Sequence, residues 1–255
     1  MESFVTDPQV YEYSLIMDVL GNALLDYYNG NYSQDIQTYS DLGGWDELPL
    51  DYLFRSYDQM PALEQKALEL CRGSVLDIGC GAGIHSLYLQ SKAIAVTALD
   101  HSKGAIEVCK AKGISSFELA DINTFRTTVK YDTLLLLMNG IGLAGSLTNL
   151  AGFLTHLKTF MKEDGQLILD SSDVIYMFDQ DDDGGYWIDA SQGYYGETNF
   201  KMRYKDQESE SFPWLYIDFE SLKEIASDCG FNVELILKGN HYDYLAGLSL
   251  KPHLI

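Results

Sequence analysis

Two hydrophobic patterns alternate along most of the chain. Short continuous apolar runs read as strands buried on both faces, and between them apolar residues recur at helical spacing. The runs are residues 75–78, "AVTALD", "SSFELAD", residues 134–138 and "QLILDS", the last entered through a turn at Gly165. The helices between them include "IHSLYLQSKA" and "SKGAIEVCKAKG", the second with Ser102 as N-cap and Gly113 as stop. Strands alternating with helices predict a parallel sheet covered on both faces. A helix capped by Asp218 and closed by Gly230 then leads into "NVELILK" and "YDYLAGLSLK". The link between these last strands, residues 239–243, is too short for a parallel crossover, so the final strand is predicted to run antiparallel. The expected fold class is thus α/β, a seven-stranded, mostly parallel, Rossmann-like sheet ending in an antiparallel hairpin.

One stretch tests this reading. "TLLLLMNGIGLAGSLTNLAGFLTHL", residues 133–157, contains no Asp, Glu, Lys or Arg and is long enough to span a bilayer. Its periodicity divides it. Residues 134–138 form an apolar run, and Asn139-Gly140-Ile141-Gly142 breaks either kind of element. After Gly145, Leu147, Leu150, Ala151, Leu154 and Met161 share one helical face, while Thr148, Asn149, Thr155, His156 and Thr159 fall largely on the other. A lipid-facing helix would be apolar all round. The stretch is read as strand, glycine loop and amphipathic helix.

Two segments lie outside the alternation. Residues 1–70 predict a helical N-terminal cap: a helix from about Pro8, capped by Asp7, with Tyr13, Ile16, Met17, Leu20, Ala23, Leu24 and Tyr27 on its face. A polar loop and "LPLDYLFRSYDQMP" follow. Residues 71–255 form the core, interrupted at 174–217 by a small antiparallel β insertion that covers the substrate. In it Phe200, Met202 and Tyr204 alternate with Lys201, Arg203 and Lys205, and "FPWLYI" is the expected partner across "KDQESES". Most of the 18 tyrosines fall in cap and insertion, which predicts an aromatic-lined substrate chamber or, alternatively, packing of cap on core.

Charge narrows the partners. With 38 acids against 17 Lys and Arg, the formal net charge is -21. Such a chain repels phosphate backbones and anionic lipid, so neither nucleic acid nor membrane is expected as a partner. "MESFVTDPQVYEYS" lacks the features of a signal peptide, and the cysteines form no CxxC pair. A cytoplasmic protein with reduced thiols and no metal site is the expectation, as monomer or homodimer.

The chemistry centres on "VLDIGCGAG", residues 75–83. Gly79, Gly81 and Gly83 lie between a strand and a helix, where a ligand can approach the backbone closely beside exposed N–H groups. A dinucleotide loop would place its third glycine at position 84, which is Ile84. Asp77 precedes the loop, Asp100 ends the second strand and Asp121 follows the third, all at the strand ends where open α/β sheets bind ligands. Together "VLDIGCGAG", "ALD" and "LADI" resemble the cofactor signature of class I S-adenosylmethionine-dependent methyltransferases, over roughly residues 60–170. The resemblance implies that Gly79, Gly81 and Gly83 border the methionine part of S-adenosylmethionine. It implies further that Asp77 orients the loop and the amino group, Asp100 with the adjacent His101 meets the ribose, and Asp121 with Ile122 reads adenine. Asn139 and Gly140 then lie beside the transferred methyl.

A sulfonium methyl is already activated, so positioning is the protein's main task and a base is needed only for some acceptors. Asn139 and His241 are the candidate catalytic residues, and Arg55 and Tyr57 the candidate substrate contacts. Arg55 reads equally as a surface ion pair, His241 as a surface-loop residue, and His85 as a packing or capping group. The acidic run "DQDDDGG" is either a cation attractor or a solvated loop. The (Asp/Asn)-Pro-Pro-aromatic motif of nucleic-acid amino-methyltransferases is absent, as is an acidic magnesium cluster after the fourth strand. The leading expectation is methyl transfer to a small neutral or cationic, or aromatic, molecule by in-line displacement. The alternatives are a non-catalytic sensor or partner subunit that binds S-adenosylmethionine or S-adenosylhomocysteine, and a nicotinamide-dependent oxidoreductase.

Overall fold

The computed structural model describes residues 18–181, 183–188, 191 and 193–251. Asp7, Pro8, Tyr13, Ile16 and Met17 of the expected first helix lie outside them. Helix α1 spans Val19–Tyr28, and Asp18 caps it by accepting from the Gly21 amide at 2.9 Å. The polar stretch that follows is not a loop. It forms the hairpin β1 (Ile36–Ser40) and β2 (Gly44–Leu48), whose strands show no apolar alternation along their length. The short α2 (Leu50–Leu53), a 3-10 turn (Tyr57–Gln59) and α3 (Ala62–Leu70) lead into the core.

The core alternates as the hydrophobic pattern predicts: β3 (Ser74–Ile78), α4 (Ile84–Ser91), β4 (Ala95–Asp100), α5 (Lys103–Ala111), β5 (Phe117–Leu119) and β6 (Tyr131–Leu136). Ser102 caps α5 by accepting from the Ala105 amide, and Gly113 follows its end with φ +85°. After a 3-10 turn (Gly140–Ala144) comes α6 (Leu147–Lys158), then β7 (Met161–Ser172). Two expectations need correcting here. The buried face of α6 is Leu150, Phe153, Leu154 and Leu157, with Ala151 exposed, and Met161 begins the strand. Gly165 lies within β7, not before it, where the strand's register against β6 shifts.

The insertion supplies β8 (Glu197–Tyr204), β9 (Gln207–Glu208) and β10 (Phe212–Leu215), with β8 and β10 paired antiparallel as expected. Helix α7 (Phe219–Asp228), capped by Asp218, then precedes β11 (Phe231–Lys238) and β12 (Asp243–Leu250). The large sheet has the order β11-β12-β7-β6-β3-β4-β5. Strand β12 is antiparallel to both of its neighbours and the other pairs are parallel. One face packs on α6 and α7 through residues such as Leu150, Leu154 and Leu222, and the other on α3 and α4 through Leu63, Ala67 and Leu89.

Cap and insertion share a second sheet of order β10-β8-β1-β2, with β9 paired to β8. Residues 37–40 of β1 pair with residues 200–203 of β8, far apart in the chain. Helix α1 joins this sheet to the core by lying against α5. Gly21 and Gly104 meet there so closely that a Cβ on Gly104 would overlap the Gly21 backbone. The Asp18 carboxylate fastens the crossing, accepting from Ser102 Oγ and the Gly104 amide, each at 2.9 Å.

Candidate active site

Strand β3 runs into a loop in which Gly79, Gly81 and Gly83 adopt φ of +73°, +51° and +72°, a region that costs glycine little and other residues more. The Gly79 and Cys80 amides donate to the Leu99 carbonyl, which ties the loop to the end of β4. Asp100 completes that tie. One carboxylate oxygen accepts from the Gly81 amide at 2.9 Å and the other from the Ser102 amide at 2.8 Å. Burial raises the Asp100 carboxyl above its ordinary range, although these bonds and the nearby His101 ring pull the other way.

A cavity of about 1170 Å³ opens over this sheet edge. Its polar wall includes Asp77, Gly79, Gly81, Asp100, His101 and Asp121; Met138 and Gly140 contribute from the end of β6. Gly83 does not line it. It starts α4 and abuts Ile114 and Cys109, so its role is close packing of the loop on α5. Ile122 is buried in the core beneath, and Asp121 lies exposed at the rim, accepting from the Asn123 amide. Asn139 stands just behind the lining with its Oδ1 buried and without a partner in the described structure.

Beneath the cavity lies a buried polar group that the sequence pattern did not reveal. Arg55 donates to Glu64 and to the Tyr52 carbonyl and stacks on the Tyr52 ring. Glu64 also meets His85, with His85 Nε2 2.9 Å from Glu64 Oε2. Burial alone would raise the Glu64 carboxyl, but His85 and Arg55 outweigh it and hold the group below its usual range. His85 lines the cavity; Arg55 reaches it only through Glu64. Asp77, 2% exposed, accepts from Ser86 Oγ at 2.7 Å, and burial raises its carboxyl. Asp170, near the end of β7, is pushed up to about 7 by burial, despite the amides that donate to it. Its signal in the sequence was available: "LILD" closes a strand with an acid just as "VLD" and "ALD" do.

Tyr57 and His241 are placed elsewhere. Tyr57 stacks on Tyr88 with centroids 4.0 Å apart, on the flank of α4. His241 is exposed in the terminal hairpin against Tyr176, away from the cavity. In the acidic run, the Asp181 carboxylate closes a turn by accepting from the Gly185 amide.

Another part of the lining is apolar. Leu48 of β2, Leu53 of α2, Met202 of β8, and Phe212, Pro213 and Trp214 at β10 line the cavity from the cap and insertion, with Glu210 beside them. Among the described residues no tyrosine lines the cavity. The cap and insertion tyrosines instead tie elements together, as Tyr194 does with Asp218 and Tyr204 with Asp26. Strand β10 sits directly on the 3-10 turn after β6, where a Cβ at Gly142 would overlap the Trp214 indole.

Comparison with known proteins bears on this arrangement. The methyltransferase domain family matches residues 75–165. A solved S-adenosylmethionine-dependent methyltransferase from Bacteroides fragilis, in complex with S-adenosyl-L-homocysteine, is 39% identical. The match covers 92% of this chain and 96% of that one, with a TM-score of 0.86. This chain belongs to the S-adenosylmethionine-dependent methyltransferases. The methyltransferase also shares its fold with more distant structures. One is a sugar N-methyltransferase from Streptoalloteichus (15% identity, 79% and 92% of the two chains, TM-score 0.57). Another is an S-adenosylmethionine-dependent methyltransferase from Clostridium acetobutylicum (15%, 72% and 87%, TM-score 0.53). No curated protein matches the sequence. The cofactor of the methyltransferase is S-adenosylmethionine.

Proposed function

We propose that this methyltransferase acts on a small neutral or cationic acceptor carrying an apolar or aromatic portion, by in-line displacement. The carrying observation is the mixed lining of the cavity: the glycine loop and the core strand ends contribute amides and acids, and the cap and insertion contribute Leu48, Met202, Phe212 and Trp214. Its volume of about 1170 Å³ is at the upper end for small-molecule sites, which leaves room for a cofactor and a modest acceptor together.

The polar wall suits the cofactor. Each Asp100 oxygen spends one bond on a backbone amide and keeps acceptor capacity for ribose hydroxyls. Gly79 and Gly81 would border the methionine portion: a Cβ at either would meet nothing closer than 3.7 Å within the protein, so the backbone there is open to a ligand. Asp77 is committed to Ser86 and holds the loop's base. Asp121 at the cavity rim would meet the adenine edge, with the backbone of Ile122 beside it, and His101 would flank the ribose. Asn139 Oδ1 is an orphaned acceptor that a donor on a bound ligand would satisfy.

Bound S-adenosylmethionine supplies an activated methyl, so the residues contribute alignment and exclusion of water. Gly140, with Asn139 just behind it, would lie on the methyl's side of the cavity, and Trp214 and Phe212 would confine the acceptor. Glu210 provides a carboxylate for an acceptor cation, and the overall charge of -21 favours such a molecule. Arg55 serves through Glu64 and His85, not by touching the acceptor.

The test supplies methyl-labelled S-adenosylmethionine with fractionated cell extract. Label is expected in the metabolite fraction, and Trp214→Ala should raise the acceptor KM at least about tenfold while S-adenosylhomocysteine affinity stays within about twofold. Label confined to nucleic acid or protein would overturn the small-molecule assignment.

A further inference from the structure

The chain leaves β6 through two consecutive non-glycine residues of positive φ, Met138 at +60° and Asn139 at +56°. Left-handed backbone is strained for such side chains, and a run of two persists only if the surroundings hold it. One side chain grips both amides. Asp170 on the neighbouring strand accepts from the Met138 amide with one carboxylate oxygen (3.2 Å) and from the Asn139 amide with the other (2.8 Å). A carboxyl group has an oxygen for each amide, whereas an amide side chain of the same shape has only one.

We propose that Asp170 is a positioning residue for methyl transfer: by clamping Met138 and Asn139 it sets the shape of the cavity floor on which the methionine end of the cofactor rests. This rests on the placement of that floor beside the transferred methyl. Met138 and Gly140 line the cavity, and Asn139 lies between them. Released from Asp170, the two residues relax toward negative φ, which rotates the peptide planes of the floor and carries Gly140 with them. Of the charged groups that act on Asp170, the Glu64 carboxylate opposes its ionisation and His85 favours it. Glu64 and His85 face Asp170 from α3 and α4, and Tyr52 and Tyr244 lie near from α2 and β12. Glu64 is already taken by Arg55 and His85, and the Tyr244 hydroxyl by the Ile217 carbonyl.

The test is Asp170→Asn, which keeps the shape but leaves one oxygen for two amides. Two readouts are followed: hydrogen exchange of the peptide around residues 138 and 139, and calorimetric affinity for S-adenosylhomocysteine and for adenosine, which lacks the methionine end. Expected are exchange at least about tenfold faster, S-adenosylhomocysteine affinity about tenfold weaker, and adenosine affinity within about twofold of wild type. Adding Met138→Gly and Asn139→Gly, which need no clamp, should recover most of the stability that Asp170→Asn loses in denaturant unfolding. If Asp170→Asn alone does not fold, the same glycine pair should restore folding, and a triple variant that stays unfolded overturns the proposal. Unchanged exchange overturns it, as does faster exchange with full S-adenosylhomocysteine affinity. Asp100→Ala, expected to lose both ligands, separates the two ideas. If that variant binds normally, the placement of the cofactor has failed, while exchange still decides whether Asp170 is the clamp.

Discussion

Three strands end in a buried or half-buried carboxylate on the same sheet edge, and their partners give each a different task. Asp77 holds Ser86 within the loop's own helix, Asp100 joins the loop to β4, and Asp170 grips the turn after β6. Asp100 lines the cavity with one amide bond on each oxygen and acceptor capacity to spare. Asp100→Asn should weaken S-adenosylhomocysteine about 10- to 100-fold in calorimetry, since bonds to a charged acceptor are each worth about 1.5–3 kcal/mol. Asp170 carries a pH signature. Its carboxyl is raised to about 7 in the folded protein, above its unfolded value near the ordinary 3.8, so between these limits the folded state binds the extra proton. Stability from this group is present in full below the unfolded value and is lost as pH rises through about 7, by a few kcal/mol at most. Denaturant unfolding of wild type and Asp170→Asn at pH 5 and pH 8 should therefore show the variant gaining on wild type at the higher pH. A difference that does not change with pH would contradict the assignment.

At the scale of elements, the cavity depends on two close contacts that glycine permits. At the crossing of α1 and α5, Gly104→Ala must push the helices apart, because its Cβ would meet backbone and not a movable side chain. A thermal midpoint several degrees lower, equivalent to about 1–3 kcal/mol, is expected in a melting experiment. At the seat of β10, Gly142→Ala would press on the Trp214 indole. Its expected effects are a shifted tryptophan emission and a raised acceptor KM, with smaller loss of S-adenosylhomocysteine affinity. The Arg55–Glu64–His85 group binds α3 and α4 to the segment after α2. Breaking it by Glu64→Gln leaves Arg55 and His85 without their charge partner, and such a loss typically costs about 3–5 kcal/mol.

Across the whole molecule, the net charge of -21 is far from balanced. Self-repulsion of this kind weakens the folded state and is screened by salt. Raising sodium chloride from low concentration to about 0.15 M, where the Debye length falls to roughly 8 Å, should raise the thermal midpoint by a few degrees. A midpoint that falls would mean that specific ion pairs outweigh the general repulsion. Among the described residues no helix is long and apolar enough to cross a membrane. The uncharged stretch around residues 133–157 resolves into β6, a 3-10 turn and α6.

By itself the sequence determined what depends on local pattern. The period of the apolar residues set the seven strands of the core sheet, the short final link set the antiparallel hairpin, and Ser102 and Asp218 acted as the caps their positions predict. The glycine loop and the carboxylates at 77, 100 and 121 were legible because their spacing is local and chemical. Only the tertiary structure decided what depends on residues distant in the chain. The hairpin of β1 and β2 has no apolar alternation, and pairing with β8 completes its sheet. Arg55 is buried because Glu64 and Tyr52 enclose it, and no spacing rule announces that. The aromatic residues that line the cavity are Phe212 and Trp214 with Phe153, not the abundant tyrosines. Which aromatic faces a cavity is set by how two sheets pack, and composition carries no record of it.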